Sequence, residues 1–396
     1  VTYRSFYFGR VVEEKKMGNF SCLGTWKKSM ALAGILVSML ACSLSPVPTP
    51  GAILTQAPSA QPTIQIGQIV IPLLTGYGVR GSFYEIYFTD PFNPASAKEE
   101  GGPDAALVSA INSARISVDV AAYSLSLYSI REALIHAYNR GVLVRMVMES
   151  DNMDNSAVDA LSGAGIQIVG DRREGLMHNK YMVIDRSEVW TGSMNFTATG
   201  VYEDNNNLIR IRSTKVAQDY TREFEEMFKD DFFGQDVLAE TPFPQVSIDG
   251  VNLEIFFSPD DHPAKRIVSL LRNAKSSIHF LAYSFTANDF GDVLRQKAAQ
   301  GLQVDGVMEE SQVKTNTGTE FDAFSQAGLP VYLDGNQGQM HDKVFIIDEQ
   351  IVITGSYNFS SSAERTNDEN VLIIYDAQVA KQYMAEFQRV FDAAQK

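Results

Sequence analysis

The sequence predicts an α/β fold in which one unit is written twice, each copy a β-sheet with helices on both faces. Three observations predict it. First, four segments recur in the same order: YEIYFTDP (84–91) with LEIFFSPD (253–260), ISVDVAAYSLS (116–126) with SIHFLAYSFT (277–286), MHNKYMVID (177–185) with MHDKVFIID (340–348), and TGSMNF (191–196) with TGSYNF (354–359). Second, the last two pairs share an offset of 163 residues and the AAYS/LAYS pair has 160, so the copies differ by a few residues of loop. A repeat of this length is a duplicated domain, not a solenoid unit. Third, each copy alternates apolar strand-like runs with helical patterns, the signature of a layered α/β fold.

The elements of the first copy follow in order. Residues 104–114 read as a helix, and the apolar run 116–122 as a buried strand. A helix over 129–140 is closed by Gly141, since glycine at a helix end accepts the left-handed conformation there. A second apolar strand covers 142–149. A helix over 156–164 is again ended by a glycine, and a short strand covers 166–169. Residues 181–184 and 188–191 form a strand pair. The second copy repeats this order. The chain divides into a leader (1–42), a linker rich in Pro, Ser and Thr (43–80), a first domain (81–235), a connector (236–250) and a second domain (251–396).

Composition narrows the classes. Charged residues make up 20% and hydrophobic ones 45%, which excludes a disordered chain or a polytopic membrane protein. The 33 Lys and Arg against 48 Asp and Glu leave a charge of −15, against a surface that grips nucleic acid by bulk electrostatics. Residues 1–41 hold six basic and two acidic side chains, so the remainder is more acidic still. The chain has 2 Cys, Cys22 and Cys42, both in the leader, which excludes a disulfide framework and a Cys-rich zinc site in the body.

Lys27 and Lys28 precede an apolar run, 30–41, that stops at Cys42. A basic stretch, a short apolar run and a small residue before the cut describe an export signal, and the run is short for a spanning helix. Cys42 directly after Ala41 resembles a bacterial lipoprotein signal, in which that cysteine is lipid-modified. Met39 stands where such signals carry Leu, with Leu40 one place later. Lipidation at Cys42, plain secretion and an uncleaved anchor all remain open. Each implies an exported protein, secreted or anchored in a bacterial cell envelope, with the anchored forms associating with a membrane through the N-terminus.

Both copies carry His-x-Lys followed by Asp: His178, Lys180, Asp185 and His341, Lys343, Asp348. In a strand, residues i and i+2 face the same side, so each His and Lys project together. Gly-Ser-x-Asn follows in each copy: Ser193 and Asn195, Ser356 and Asn358. Glycine admits a close backbone approach, and Ser and Asn supply neutral hydrogen-bonding groups.

These residues resemble the phospholipase D superfamily, whose signature is the paired HKD motif, over about residue 84 to the C-terminus. The second copy resembles especially the small bacterial endonuclease branch, where a one-motif chain dimerises to build the site. The resemblance implies two tandem phospholipase D-like domains related by a pseudo-twofold axis, with both half-sites in one monomeric chain. It implies that one histidine attacks phosphorus and forms a covalent phosphohistidine while the other donates a proton to the leaving oxygen. By the commoner family pattern His178 is the nucleophile. Lys180, Lys343, Ser193, Asn195, Ser356 and Asn358 would hold the phosphate. Asp185 and Asp348, counted in the catalytic motif, would orient rather than react. No metal or other cofactor is implied. Glu364 and Glu369 stand in the family-like tail SAERTNDEN, whereas the first copy has Val201 and Asn206 at those positions, so the half-sites are expected to be non-equivalent.

The expected substrate is a phospholipid head-group phosphodiester. A nucleic acid cleaved by the same mechanism is the first alternative, and phosphatidyl transfer of the cardiolipin synthase type the second. The remaining histidines, His136, His262 and His279, lack partners at ligand spacing and read as structural. Phe224 and Phe228 read as core, and the acidic runs 223–231 and 309–310 as solvated faces. Arg172 and Arg173 precede the first motif and are candidates to meet a phosphate. Tyr123 and Tyr283 are candidates to line the cleft.

Overall fold

The computed structural model describes residues 67–234 and 239–396. The leader, Cys42 and the linker to residue 66 lie outside the described residues. The first copy supplies nine strands: β1 (Ile69–Ile71), β2 (Tyr77–Arg80), β3 (Tyr84–Phe88), β4 (Ser117–Ala122), β5 (Leu143–Met148), β6 (Gln167–Gly170), β7 (Lys180–Ile184), β8 (Glu188–Gly192) and β9 (Asn207–Arg212). The second supplies eight: β10 (Gln245–Ile248), β11 (Val251–Ser258), β12 (Ser277–Ala282), β13 (Gln303–Met308), β14 (Val331–Leu333), β15 (Lys343–Ile347), β16 (Ile351–Gly355) and β17 (Glu369–Tyr375).

The sheet orders are β1-β2-β3-β9-β8-β7-β4-β5-β6 and β10-β11-β17-β16-β15-β12-β13-β14. They superpose strand for strand once β1 is set aside. In each, one end is parallel (β4, β5, β6; β12, β13, β14) and the other pairs are antiparallel. The expected strands and helices of the first copy fall within about a residue of those observed. Residues 69–80, read from composition as the end of the linker, instead form β1 and β2. Pro72 and two glycines make that stretch read as a loop, yet β2 pairs with the otherwise open edge of β3. Within the connector, β10 covers the edge of β11 in the same way.

The helices are α1 (Asp104–Ser113), α2 (Tyr128–Asn139), α3 (Ser156–Gly163), α4 (Ala198–Tyr202), α5 (Thr214–Lys229), α6 (Pro263–Asn273), α7 (Asn288–Ala299), α8 (Glu310–Thr315), α9 (Phe321–Gln326), α10 (Ser361–Arg365) and α11 (Ala377–Ala394). Caps set their starts: Asn155 accepts from Ala157 N and Val158 N ahead of α3, and Ser213 and Asp376 do the same for α5 and α11.

One core lies between the first sheet and α1–α3, and a second between the other sheet and α6, α7 and α9. The third joins the two copies and is filled largely by α5 and α11. Each helix turns a stripe spaced three and four residues apart toward it: Val216, Ala217, Tyr220, Phe224 and Met227, and Val379, Ala380, Tyr383, Phe387 and Val390. Phe228 stacks on Phe224 with ring centres 5.3 Å apart, as the reading of both as core required. The helices expected on both sheet faces are thus present, with α5 and α11 shared as the central layer.

The acidic runs are only partly solvated. Glu223, Glu226 and Glu309 are buried, and burial pushes Glu226 and the nearby Asp260 up to about 7. His279 is also buried, bound to Asp305 and packed on Phe387. At the matching place in the first copy stand Asp119 and Arg145, bonded at 2.8 Å.

Replacing Phe224 by Ala removes a ring from the shared layer. It should lower unfolding free energy by about 3–5 kcal/mol, read as a lower urea midpoint at unchanged slope.

Candidate active site

Each His-x-Lys segment enters its strand beside the other copy. His178 N donates to Asp368 O at 3.0 Å, and His341 N to Asn205 O at 2.9 Å. Because i and i+2 share a face, Lys180 Nζ reaches back to His178 O and Lys343 Nζ to His341 O, both at 2.6 Å. The tyrosines line the same space. Tyr123 lies edge-on to His178 with centres 4.8 Å apart, and Tyr283 to His341 at 4.6 Å. The lysine ammoniums sit over these rings at 4.8 and 4.6 Å.

The second-copy residue Glu369 backs the first-copy histidine, its Oε2 lying 2.8 Å from His178 Nδ1. The first-copy residue Asn206 backs the second-copy histidine, its Oδ1 lying 3.0 Å from His341 Nδ1. The orientation of Asn206 follows from its other bonds: Nδ2 donates to Gly200 O, and Oδ1 accepts from Ser193 Oγ, both at 2.8 Å. Oδ1 therefore faces His341, which must donate from Nδ1 and keep its Nε2 lone pair free. In its ionised form Glu369 imposes the same tautomer on His178, with a carboxylate in place of an amide.

Burial sets the electrostatics. His178 and His341 are 6% and 5% exposed and both are held well below the usual imidazole range, first by burial and then by the two lysine charges. Burial likewise lowers Lys180 and takes Lys343 down to about 7, against the pull of Glu369 on both. Glu369 is raised to about 8 by burial, with Lys180 the leading opposing influence. Burial thus favours the neutral forms of these groups, and an arriving anion restores charge to the lysines. Two imidazoles with free Nε2 atoms beside two amines suit a tetrahedral anionic group.

A polar frame behind the histidines locks the halves together. Asn207 Nδ2 donates to Asp342 Oδ1 at 2.6 Å, and its Oδ1 accepts from Thr354 Oγ1 at 2.9 Å and Tyr383 OH at 3.2 Å. The mirror set is Asn370 Nδ2 to Asn179 Oδ1 at 2.8 Å, with Thr191 and Tyr220 donating to Asn370 Oδ1 at 2.7 and 3.2 Å. The motif glycines permit this contact. Gly192 and Gly355 have φ of +145° and +139°, and a Cβ there would meet Asn207 O or Asn370 O at 2.3 or 2.2 Å. The sequence reading missed Asn207, Asn370, Tyr220 and Tyr383, although both pairs recur at the motif offset of 163. It also missed Glu149 and Glu309, whose carboxylates accept from Met177 N and Met340 N ahead of each histidine.

Several expected site residues stand elsewhere. Ser193 and Ser356 are buried in the frame. Ser193 Oγ donates to Asn206 and Asp342, and Ser356 Oγ accepts from Asn370 N at 3.0 Å, so neither lines the pocket as a phosphate ligand. Asn195 and Asn358 are half-buried, with amide oxygens that lack partners. Asp185 and Asp348 lie seven residues of extended chain, about 23 Å, beyond their histidines. Asp185 Oδ1 accepts from the N–H groups of Arg115, Ile116 and Ser117 at 3.0, 2.7 and 3.1 Å. Asp348 Oδ1 accepts from Lys275, Ser276 and Ser277 at 2.9, 2.7 and 3.1 Å. They anchor the loops before β4 and β12. Glu364 is likewise outside the pocket, accepting from Ala264 N and Tyr357 OH. Arg172 pairs with Asp231, and Arg173 ties the loop before His178 to Asp368 and Thr366 O.

Two segments of the chain, 107–228 and 267–391, match the family described as "Cardiolipin synthase, PLD-like domain". A protein named Phospholipase D from Rickettsia bellii is 30% identical over 160 residues, covering 39% of this chain and 79% of that protein. One of the same name from Rickettsia typhi is 34% identical over 34% of this chain and 65% of its own length. Mouse "Mitochondrial cardiolipin hydrolase" is 29% identical over 32% of this chain and 57% of its own. Among solved structures, phosphatidylserine synthase of Haemophilus influenzae shares the fold with a TM-score of 0.59 at 13% identity, over 73% of this chain and 84% of that one.

Asp348→Asn should cost about 1–2 kcal/mol, the value of charge-assisted hydrogen bonds discounted for partial exposure. Burial works to raise this carboxyl, but the three backbone bonds outweigh it and hold it low. A depressed carboxyl stabilises fully above its unfolded pKa. The difference between parent and variant in urea titrations should therefore close as pH falls below about 4.

Proposed function

Since the chain belongs to the phospholipase D-like family, we propose that it is a metal-independent phosphodiesterase that releases the head group of a phospholipid through a covalent phosphohistidine. The observation that carries the mechanism is the unequal backing of the two histidines, a carboxylate behind His178 and an amide behind His341.

His178 Nε2 attacks phosphorus, forming the N–P bond while the bond to the head-group oxygen breaks. The imidazole gains positive charge in this step, and the Glu369 carboxylate at Nδ1 offsets it. A neutral amide cannot, which makes His178 the nucleophile and His341 the acid. His341 donates its Nε2 proton to the departing oxygen. It then takes a proton from water, whose oxygen attacks phosphorus and breaks the N–P bond. Lys180, Lys343, Asn195 and Asn358 hold the non-bridging oxygens through the charged transition state. The anionic phosphate offsets the lysine fields that hold His341 low, so substrate binding itself favours the protonated acid.

The acidic body supports a lipid over a nucleic-acid substrate, because a polyanion track needs basic surface. The export-type leader supports work at an envelope membrane. The full chain in EDTA should release choline from phosphatidylcholine vesicles and leave single- and double-stranded DNA intact. DNA cleavage without choline release overturns the substrate, and loss of activity in EDTA overturns the mechanism.

Two variants test the asymmetry. With an activated aryl phosphodiester, His341→Ala should accumulate phosphoenzyme, seen by mass spectrometry of the denatured protein, and His178→Ala should form none. Equal loss in both would sink the assignment. Glu369→Gln should lower kcat by roughly 10²–10³-fold, the scale of a lost transition-state electrostatic contact. Because His178 must be unprotonated to attack and is held well below the usual range, the acid limb of the kcat/KM profile should fall below pH 6.5.

A further inference from the structure

The catalytic end of the first sheet carries an apolar rim. The chain enters β1 through Gly67 and runs Ile69, Val70, Ile71, Pro72, Leu73, Leu74. Ile69, Val70 and Leu74 are 56%, 71% and 57% exposed, and Phe92 is 47% exposed. Strand register places these loops. Ile71 pairs with Gly78, Tyr77 with Phe88, and Phe88 with Asn207, so the turn after Ile71 and the loop after Phe88 project from the end that holds Asn206 and the histidine it backs. The two loops form one surface. Asn93 Nδ2 donates to Leu74 O, Leu74 N donates to Gly101 O, and Thr89 N donates to Asn206 O. The side chains beyond the rim, Lys98, Glu99 and Glu100, add no basic patch.

We infer that this rim, led by Leu74 and Phe92, is a bilayer-docking surface that seats the site on a zwitterionic lipid membrane. The inference rests on the phospholipid reading above. A phosphodiester held at a bilayer surface brings the head-group and acyl boundary against whatever rings the site, and apolar side chains gain by entering that boundary. Net charge selects the lipid: a chain at −15, with Lys98 beside Glu99 and Glu100 and Arg389 paired to Asp90 at this rim, is repelled by an anionic surface and indifferent to a zwitterionic one.

The test uses the full chain, phosphatidylcholine vesicles, and vesicles with one-fifth phosphatidylglycerol. Hydrogen exchange read on peptides covering 68–76 and 89–95 should slow on adding phosphatidylcholine vesicles, including in His178→Ala, and slow less on the anionic ones. The Leu74→Ser/Phe92→Ser double variant should raise KM on vesicles by roughly tenfold or more, the scale of losing two buried apolar side chains. Its kcat/KM on a soluble aryl phosphodiester should be unchanged. Vesicles that leave both peptides unprotected overturn the docking surface, whether or not choline is released. Protection already present without vesicles assigns the rim to the chain's own apolar run. A dimer that the double variant splits into monomers assigns it to a second copy. Either result overturns the proposal. Protection without choline release keeps the docking surface and removes the substrate assignment.

Discussion

Each histidine takes the group that defines its chemistry from the other copy of the repeat. Glu369 reaches across to His178 and Asn206 across to His341, while backbone bonds from His178 to Asp368 and from His341 to Asn205 stitch the same seam. Behind them the Asn207 and Asn370 hubs gather a threonine and a tyrosine from opposite halves. Truncating one member of these pairs within the seam would leave its partner buried and unpaired, at a cost of about 1–3 kcal/mol for each group. The docking of the two sheets, the shared α5 and α11 layer and the catalytic geometry are therefore one constraint.

The same seam explains the electrostatic state of the pocket. Two imidazoles, two amines and a carboxylate are enclosed together, and burial pushes each toward its neutral form. Such a cluster suits an anion, because a negative charge beside the lysines would make their charge favourable again.

Duplication has left the halves similar in frame and different in chemistry. Thr, Gly, Ser and Asn recur around both histidines at one offset, yet Glu369 answers Asn206, and Asp342 answers Asn179. Away from the site the buried pair Asp119–Arg145 is answered by His279–Asp305, with the acid on the opposite strand. Both solutions satisfy a buried polar position between sheet and helix, so the pair was kept as a pair while its members changed. Within the pocket the difference is one of charge, a carboxyl group behind His178 and an amide behind His341.

Much of this was legible in the sequence. Apolar runs and helix-ending glycines located most strands and helices of the first copy, because period and local punctuation are properties of the chain itself. The motif spacing put each lysine beside its histidine, since strand geometry places i and i+2 on one face. The recurrence at one offset pointed to a paired site, and the Glu369/Asn206 mismatch announced its asymmetry. Other features needed the tertiary structure. Ser193 and Ser356 carry the right chemistry for a phosphate ligand, but the close approach of Asn207 and Asn370 past the motif glycines turns their hydroxyls into the frame. Asp185 and Asp348 sit in the motif by sequence and at the far end of the strand by geometry. The buried Glu223 and Glu226 looked like a solvated face because a charge pattern does not show what a second copy will lay over it. The sequence by itself determined the repeat and the pairing of His with Lys within each strand. Tertiary structure alone decided which partner stands behind each histidine, because that contact crosses between residues about 190 or 135 positions apart, and only the docking of two sheets brings them together.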